Sequence, residues 1–557
     1  MSPTRAFTLF EISWEVAHRV GGIHTSISTK ARALSERASV AHVTIGPWML
    51  SAGDANAVLE PDPAYDGFAD VCRAAGLPVR VGRWRVPGRP LTVLVDFSAL
   101  LPAKDQILTE LWQRHEVDSL FGGWDYVEPV LFGHAAGRVA ELWWRHFLAG
   151  TTRGAAAQFH EWTSGAGLLY LRRHAPWIGT VLTLHSTVLG GALSAARSEV
   201  REGLEGSGPE QMAAALDVLA PHSLSTAAAR EADVLATVSA VTAEETQRFH
   251  GRDADALLPN GIDPVTLHDA GGGEPRAELR AHVSERLGRV LGDDVSDALL
   301  VVTGARYEFH NKGFDLLLDA LGVLAGRAGR RVVLVLSVPA GNSGLWRDVA
   351  ARLAAPEPAG AVVTGRVSTH ALFDAERDPI ARHCRSLGLD NAPGSRVRVV
   401  HVPVYLDGRD GVFDRRYLEV VRAADIACFP SVYESWGYTP QESLALGVAT
   451  VTTDCPGYGL WATEQGLGAS NGLHVLARRE RTHAAARDDL AAILEEAALR
   501  DEPPDVPTSS CRAPDCGTTW EDLIDGHVDA LRAAVRAAVL RTAREDVVVP
   551  RRRVPLP

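Results

Sequence analysis

The chain has 557 residues, 46% of them apolar and 22% charged, and carries a formal net charge of −13. That length exceeds what one hydrophobic core serves, so two large domains are expected, and the composition is that of a folded globular protein rather than a disordered one. An acidic chain whose one basic run is Arg551 to Arg553 repels phosphate backbones, which excludes nucleic acid as a partner, and no apolar run approaches the length of a membrane span.

In chain order, short apolar or β-branched runs predict strands at 7–12, 40–45, 91–97, 155–159, 180–184 and 234–238, with helical spacing between several of them, as at 25–37 and 136–149. The pattern restarts in the second half, with strands expected at 299–303, 331–337, 397–402, 426–430, 450–453 and 473–475. Continuous apolar strands alternating with helices predict an α/β fold with parallel sheets covered on both faces. The Pro, Gly and Asp cluster of LPNGIDPVTLHDAGGGEP suits a linker near 259–275. The expected division is a first Rossmann-like domain at 1–265, a second at 276–510, a last helix at 518–545 that could pack anywhere, and a disordered tail at 546–557. Glu11 and Glu15 interrupt any N-terminal signal peptide, and six scattered cysteines make no disulfide framework, so a cytoplasmic, reduced protein is expected. Cys511 and Cys516 are the one close pair, too little for a zinc site.

Four segments carry candidate chemistry. In FPSVYESWGYTPQE a strand leads to a loop holding Glu434, and Thr439, Pro440 and Glu442 read as a capping box that opens a helix. A helix start at the carboxyl end of a strand is a ready diphosphate site, with one carboxylate, Glu434 or Glu442, available on either side of it. The bland reading makes Glu442 a cap and Glu434 a solvated loop residue. The second segment, GARYEFHNKG, puts Arg306 and Lys312 on one strand-to-helix loop, where two cations can neutralise a departing diphosphate. Only Lys30, Lys104 and Lys312 are lysines among 56 basic residues, so the retention of Lys312 favours a role that Arg does not fill. In the third, HRVGGI, Gly21 and Gly22 beside Arg19 allow close approach to a ligand, although tight turns use glycine anyway. The fourth is His160 and Glu161 after one strand and His185 after another. Each histidine is as readily a satisfied structural residue as a partner for sugar hydroxyls. No phosphate-loop GxxxxGK[ST], zinc-type HExxH or other set of metal ligands is present.

These segments, with FEISWEVAHRVGGIHTSISTKA, FHEWTSGAGLLYLRR, TLHSTVLGG, ADVLATVSAVTAEE and LLPNGID, resemble the glycogen synthase family of the animal and fungal type over about residues 7–545. The resemblance implies a GT-B fold, in which two doubly wound Rossmann-like domains face a cleft. It also implies metal-independent retaining transfer without a cofactor, UDP-glucose as donor and an α-1,4-glucan as acceptor. By position, Arg306 and Lys312 match the basic pair on the diphosphate, Glu434 the catalytic glutamate and Glu442 the glutamate near the ribose. His185 matches the histidine on the sugar, and Gly21 and Gly22 the donor loop; Trp436, Gly437, Tyr438 and Thr439 lie in the same donor segment as Glu434. Two departures stand out. Gly191 occupies the place of a donor-binding arginine, and PPDVPTSSCRAPDCGTTWED replaces the arginine-rich helix through which regulated members sense glucose-6-phosphate. A transferase with another acceptor and a non-catalytic glucan-binding protein are the competing readings, and an assembly of identical subunits stays open.

Overall fold

A computed structural model describes residues 6–37, 39–49, 57–196, 202–355, 364–500, 519–545, 547 and 549–550. The chain forms two compact units, one running to Asp263 and taking in the segment from Thr518, the other running from Pro264 to Gly517. Among the described residues no helix is long and apolar enough to cross a membrane.

The first unit is built on nine strands: β1 (Phe7–Ile12), β2 (Val40–Pro47), β3 (Leu59–Pro61), β4 (Val79–Trp84), β5 (Leu91–Val95), β6 (Gly154–His160), β7 (Gly179–Leu184), β8 (Val234–Thr237) and β9 (Ala256–Leu257). Their order in the sheet is β3-β4-β5-β2-β1-β6-β7-β8-β9. Every residue of β1, β5 and β7 is buried, as a strand covered on both faces requires. The edge departs from the sequence expectation, because β3 and β4 pair antiparallel and β4 runs antiparallel to β5. Half-buried arginines interrupt β4, so it lacks the apolar run that marked its neighbours. The helix expected at 136–149 begins earlier, at Trp124, runs to Trp143 and ends in a wider turn through Leu148.

The helix Trp520–Arg544 belongs to this first unit. Trp520, Ile524, Val528, Leu531 and Ala534 are buried with Phe7, Leu9 and Val181 of the sheet. The Trp520 indole donates to Thr29 Oγ1 at 2.7 Å. At the far end Arg541 pairs with buried Asp233 and donates to the Pro176 carbonyl at 2.6 Å.

The second unit restarts the pattern with β10 (Leu299–Gly304), β11 (Val332–Ser337), β12 (Asn342–Leu345), β13 (His370–Leu372), β14 (Val397–Val402), β15 (Ile426–Cys428), β16 (Ala449–Thr453) and β17 (Leu473–Leu476). Six of these form a wholly parallel sheet in the order β14-β11-β10-β15-β16-β17, while β12 and β13 make a separate antiparallel pair. The expected linker is not wholly irregular, since Pro264, suited to a first helical turn, opens a short helix to Ala270. Cys72, Cys384, Cys428 and Cys455 are buried free thiols. Cys511, Cys516, the Pro/Ser segment 501–510 and the tail from 551 lie outside the described residues, as does the replaced regulatory segment up to residue 518.

Candidate functional site

In the second unit, β10 hands over at Gly304 to the loop of Arg306 and Lys312, and β15 at Cys428 to the loop of Glu434. Because Val301 pairs with Ile426 in parallel register, both loops leave the sheet at its carboxyl end, where ligands of doubly wound folds bind. Residues 122 positions apart thus meet, and the Lys312 ammonium donates to Glu434 Oε1 in an ion pair. The pair is largely withdrawn from solvent, with side-chain exposures of 8% and 19%. Asn311 O accepts the Val432 N–H at 2.8 Å and ties the two loops together.

Two glycines set this geometry. Gly313 follows Lys312 at φ 69°, and a Cβ there would stand 1.9 Å from the Pro430 carbonyl oxygen, so the lysine turn can close on the β15 loop only as glycine. Gly437 sits at φ 106°, with Glu434 Oε2 2.9 Å from where its Cβ would be. Gly437, not Thr439, is the N-cap of the helix Tyr438–Ala445. The capping-box expectation is thereby corrected: the left-handed glycine turns the chain into the helix early, placing Thr439 and Pro440 inside the first turn. A glycine cap has no side-chain oxygen to spend on the first-turn N–H groups, which suits an anion there.

The other residues of the segment divide by role. Trp436 is buried, donates its indole N–H to Gln441 Oε1 at 2.9 Å and packs against Tyr458 and Trp461, so it supports the loop from within. Arg306 is 80% exposed and pairs with Glu308 at 3.1 Å. Glu442 is half-buried. Burial, then Glu442 and Glu434 together, push the Tyr417 phenol far above its ordinary range, and among the described residues its buried hydroxyl has no hydrogen-bond partner. Tyr417 carried no sequence signal, because nothing local marks a tyrosine whose phenol feels two distant glutamates.

In the first unit, His160 ends β6 and His185 follows β7, so both stand at the carboxyl end of the sheet. His160 Nδ1 lies 2.8 Å from His185 Nε2, and His160 Nε2 lies 3.1 Å from Glu11 Oε1. His160 is buried and has both ring nitrogens engaged, whereas His185 is half-buried. Glu161 sits at φ 63°, a strained position for a residue with a Cβ, and accepts the backbone N–H groups of His185 at 2.6 Å and Ser186 at 2.7 Å. Burial raises its carboxyl to about 7. The Gly21 N–H, expected to face a ligand, is donated to Glu15 Oε2 at 2.8 Å, and the His24 N–H joins it at 2.9 Å, because buried Glu15 must find donors. Arg19 on the loop and Gly22 at the first position of the helix Gly22–Ser35 are exposed, and Gly191 has nothing within 4 Å of where a Cβ would stand.

Comparison with known proteins bears directly on this arrangement. Residues 11–342 and 363–502 match the glycogen synthase family, well over half of the chain. The chain belongs to that family. It is accordingly a glycosyltransferase of the glycogen synthase type. It is 27% identical to the liver glycogen [starch] synthase of Homo sapiens over 543 residues, covering 86% of this chain and 76% of that protein. Against the glycogen [starch] synthase of Neurospora crassa the identity is 27% over 539 residues, covering 85% and 76%. Among solved structures, the catalytic domain of Starch Synthase IV from Arabidopsis thaliana, bound to ADP and acarbose, aligns with TM-score 0.53 at 14% identity over 96% of this chain and all of that one. At that identity the likeness speaks for the fold, the GT-B class with two Rossmann-like units.

A fully buried polar cluster of the first unit carries little signal in the sequence. Glu11 is fully buried and takes Lys30 Nζ at 2.6 Å, His42 Nε2 at 2.7 Å and His160 Nε2 at 3.1 Å. The available signal was Lys30 itself, one of three lysines in the chain, on an otherwise small and apolar helix face.

Proposed function

We propose that the chain transfers a glucosyl unit from a nucleotide sugar, UDP-glucose in the first instance, to the non-reducing end of an α-1,4-glucan, with retention of configuration and without metal or organic cofactor. The observation that carries this reading is the Lys312–Glu434 ion pair at the carboxyl ends of β10 and β15. Lys312, with Arg306 swinging in from its exposed position and the N–H groups of the Tyr438–Ala445 helix, neutralises the departing diphosphate. Glu434 faces the sugar and stabilises its oxocarbenium-like charge.

A retaining glycosidase uses two carboxyls about 5–5.5 Å apart, one of them a nucleophile. Here Lys312 claims an oxygen of Glu434, which suits an electrostatic rather than a covalent role. The acceptor hydroxyl then enters on the face from which the diphosphate leaves, its proton passes to the departing phosphate oxygen, and the new glycosidic bond keeps the donor's configuration. Glu442 is assigned to the ribose and His185 to a hydroxyl of the sugar ring. We further place the enzyme in the cytoplasm.

Incubating the full chain with UDP-, ADP- and GDP-glucose in excess EDTA, with and without glycogen, tests the reading through nucleotide release. UDP release that depends on glycogen and persists under chelation is expected. Activity abolished by chelation and restored by magnesium would overturn the metal-independent mechanism, and release indifferent to glycogen would overturn the acceptor.

A further inference from the structure

We propose that Glu11 is a positioning residue which, through His160, fixes the proton of His185 on Nε2 and so presents His185 Nδ1 as a hydrogen-bond acceptor to a hydroxyl of the transferred sugar. The inference rests on the reading above, in which His185 meets the sugar ring.

Burial alone would raise the Glu11 carboxyl, but the Lys30 ammonium and the hydrogen bonds from His160 and His42 outweigh it and hold the carboxyl well below its ordinary range. An ionised carboxylate only accepts, so every group that contacts it must donate. His160 Nε2, 3.1 Å from Glu11 Oε1, therefore carries a proton. In a neutral imidazole the other nitrogen is then a bare lone pair, and His160 Nδ1 can only accept. His185 Nε2, 2.8 Å away, must be its donor. The proton of His185 is thus committed inward, and Nδ1 is left as an acceptor. Among the described residues nothing bonds to it.

Charge neutrality keeps the rings uncharged. Glu11 and Lys30 cancel, so a further imidazolium would be buried without a counter-charge. Burial lowers His160, while burial together with His160 and Lys30 pushes His185 well below its ordinary value. The neighbouring groups agree. His42 donates from Nε2 to Glu11 at 2.7 Å and leaves Nδ1 buried without a partner, tolerable for a lone pair and costly for an N–H. On the last helix, burial and then Lys30 hold His527 at about 3, its Nε2 directed at the Pro259 carbonyl at 3.4 Å. The carboxyl of Glu161 meets the backbone N–H groups of His185 and Ser186, not the ring. Lys30 also finds its reason here. A compact ammonium fits within 2.6 Å of one oxygen of a fully enclosed carboxylate, where the guanidinium fork of an arginine would crowd His160.

The test reads tautomers directly. Long-range proton–nitrogen correlation spectra of the full chain with ¹⁵N-labelled histidine, assigned with His160→Gln and His185→Asn, are expected to show His185 protonated on Nε2 and bare on Nδ1 across neutral pH. In Glu11→Gln, whose amide can donate as well as accept, His185 should populate both tautomers. The kcat/KM for the donor should fall about tenfold, the scale of one well-placed hydrogen bond. That loss should vanish in a His185→Ala background. A wild-type His185 that is protonated on Nδ1, or charged, overturns the inference, and that spectrum decides even where Glu11→Gln does not fold. Because the tautomer is read with no substrate present, a wrong donor assignment would leave this result standing.

Discussion

Two of the three lysines end on carboxylates that the fold withdraws from water. Lys30 meets Glu11 in the first unit and Lys312 meets Glu434 in the second, while Lys104 pairs with Asp105 at the surface. Lys312 and Glu434 were legible in the sequence, since each sits in a strand–loop–helix segment whose glycines and polar residues mark a ligand loop. Glu11 was not, because its partners lie 31 residues away in His42 and 149 in His160, and only strand pairing brings them together. Glu161 was legible as a residue at a strand end but not as a strained one. Burial holds its carboxyl up at about 7, against an ordinary value of 4.5. A group raised in the folded state stabilises fully below its unfolded value, and the contribution is lost as pH climbs through the folded value. Glu161→Gln keeps an oxygen for the two backbone N–H groups and never ionises. Its stability relative to the wild type should therefore rise as pH increases from about 4.5 to above 7. Urea unfolding across that range checks the sign, and parallel curves for the two proteins would contradict it.

Among the elements, the parallel strands were readable, apart from the two-residue β9 at the sheet edge, because a strand buried on both faces is a continuous apolar run, as in LLVVTG and VVLVLS. Strands β3, β4, β12 and β13 were not, since edge and antiparallel strands keep polar or glycine positions and owe their pairing to neighbours. The helix after Glu434 was placed slightly late because Thr439 and Pro440 imitate a cap that the left-handed Gly437 pre-empts. The Trp520–Arg544 helix shows the opposite case. Its Thr519 does cap, accepting the Asp522 N–H at 3.3 Å while Asp522 accepts the Thr519 N–H at 3.2 Å. Thr519→Ala should cost about 1 kcal/mol, the usual worth of a cap. Because this helix buries Trp520 and Ile524 against the first unit's sheet, the loss should register in the unfolding of that unit as a lowered Tm. An unchanged Tm would mean that the helix end contributes nothing to the unit.

At the scale of the whole molecule, the chain repeats one plan, a sheet with its candidate residues at the carboxyl ends of its strands, and closes the first unit with a helix from its far terminus. The doubling was visible in the restart of the strand pattern, whereas the return of the last helix was not, because a lone amphipathic helix fits many apolar faces. Membership of the glycogen synthase family and the Lys312–Glu434 pair together make the central claim one about charge: a cationic sugar stabilised by Glu434 while Lys312 holds the leaving diphosphate. An interaction felt mainly in the transition state lowers kcat more than it alters KM. The decisive measurement is steady-state transfer from UDP-glucose to glycogen by the wild type and Glu434→Gln side by side. The account predicts a fall in kcat on the order of 10²–10³ with a smaller change in the donor KM. Near-normal turnover by the variant, or a change confined to KM, would contradict it.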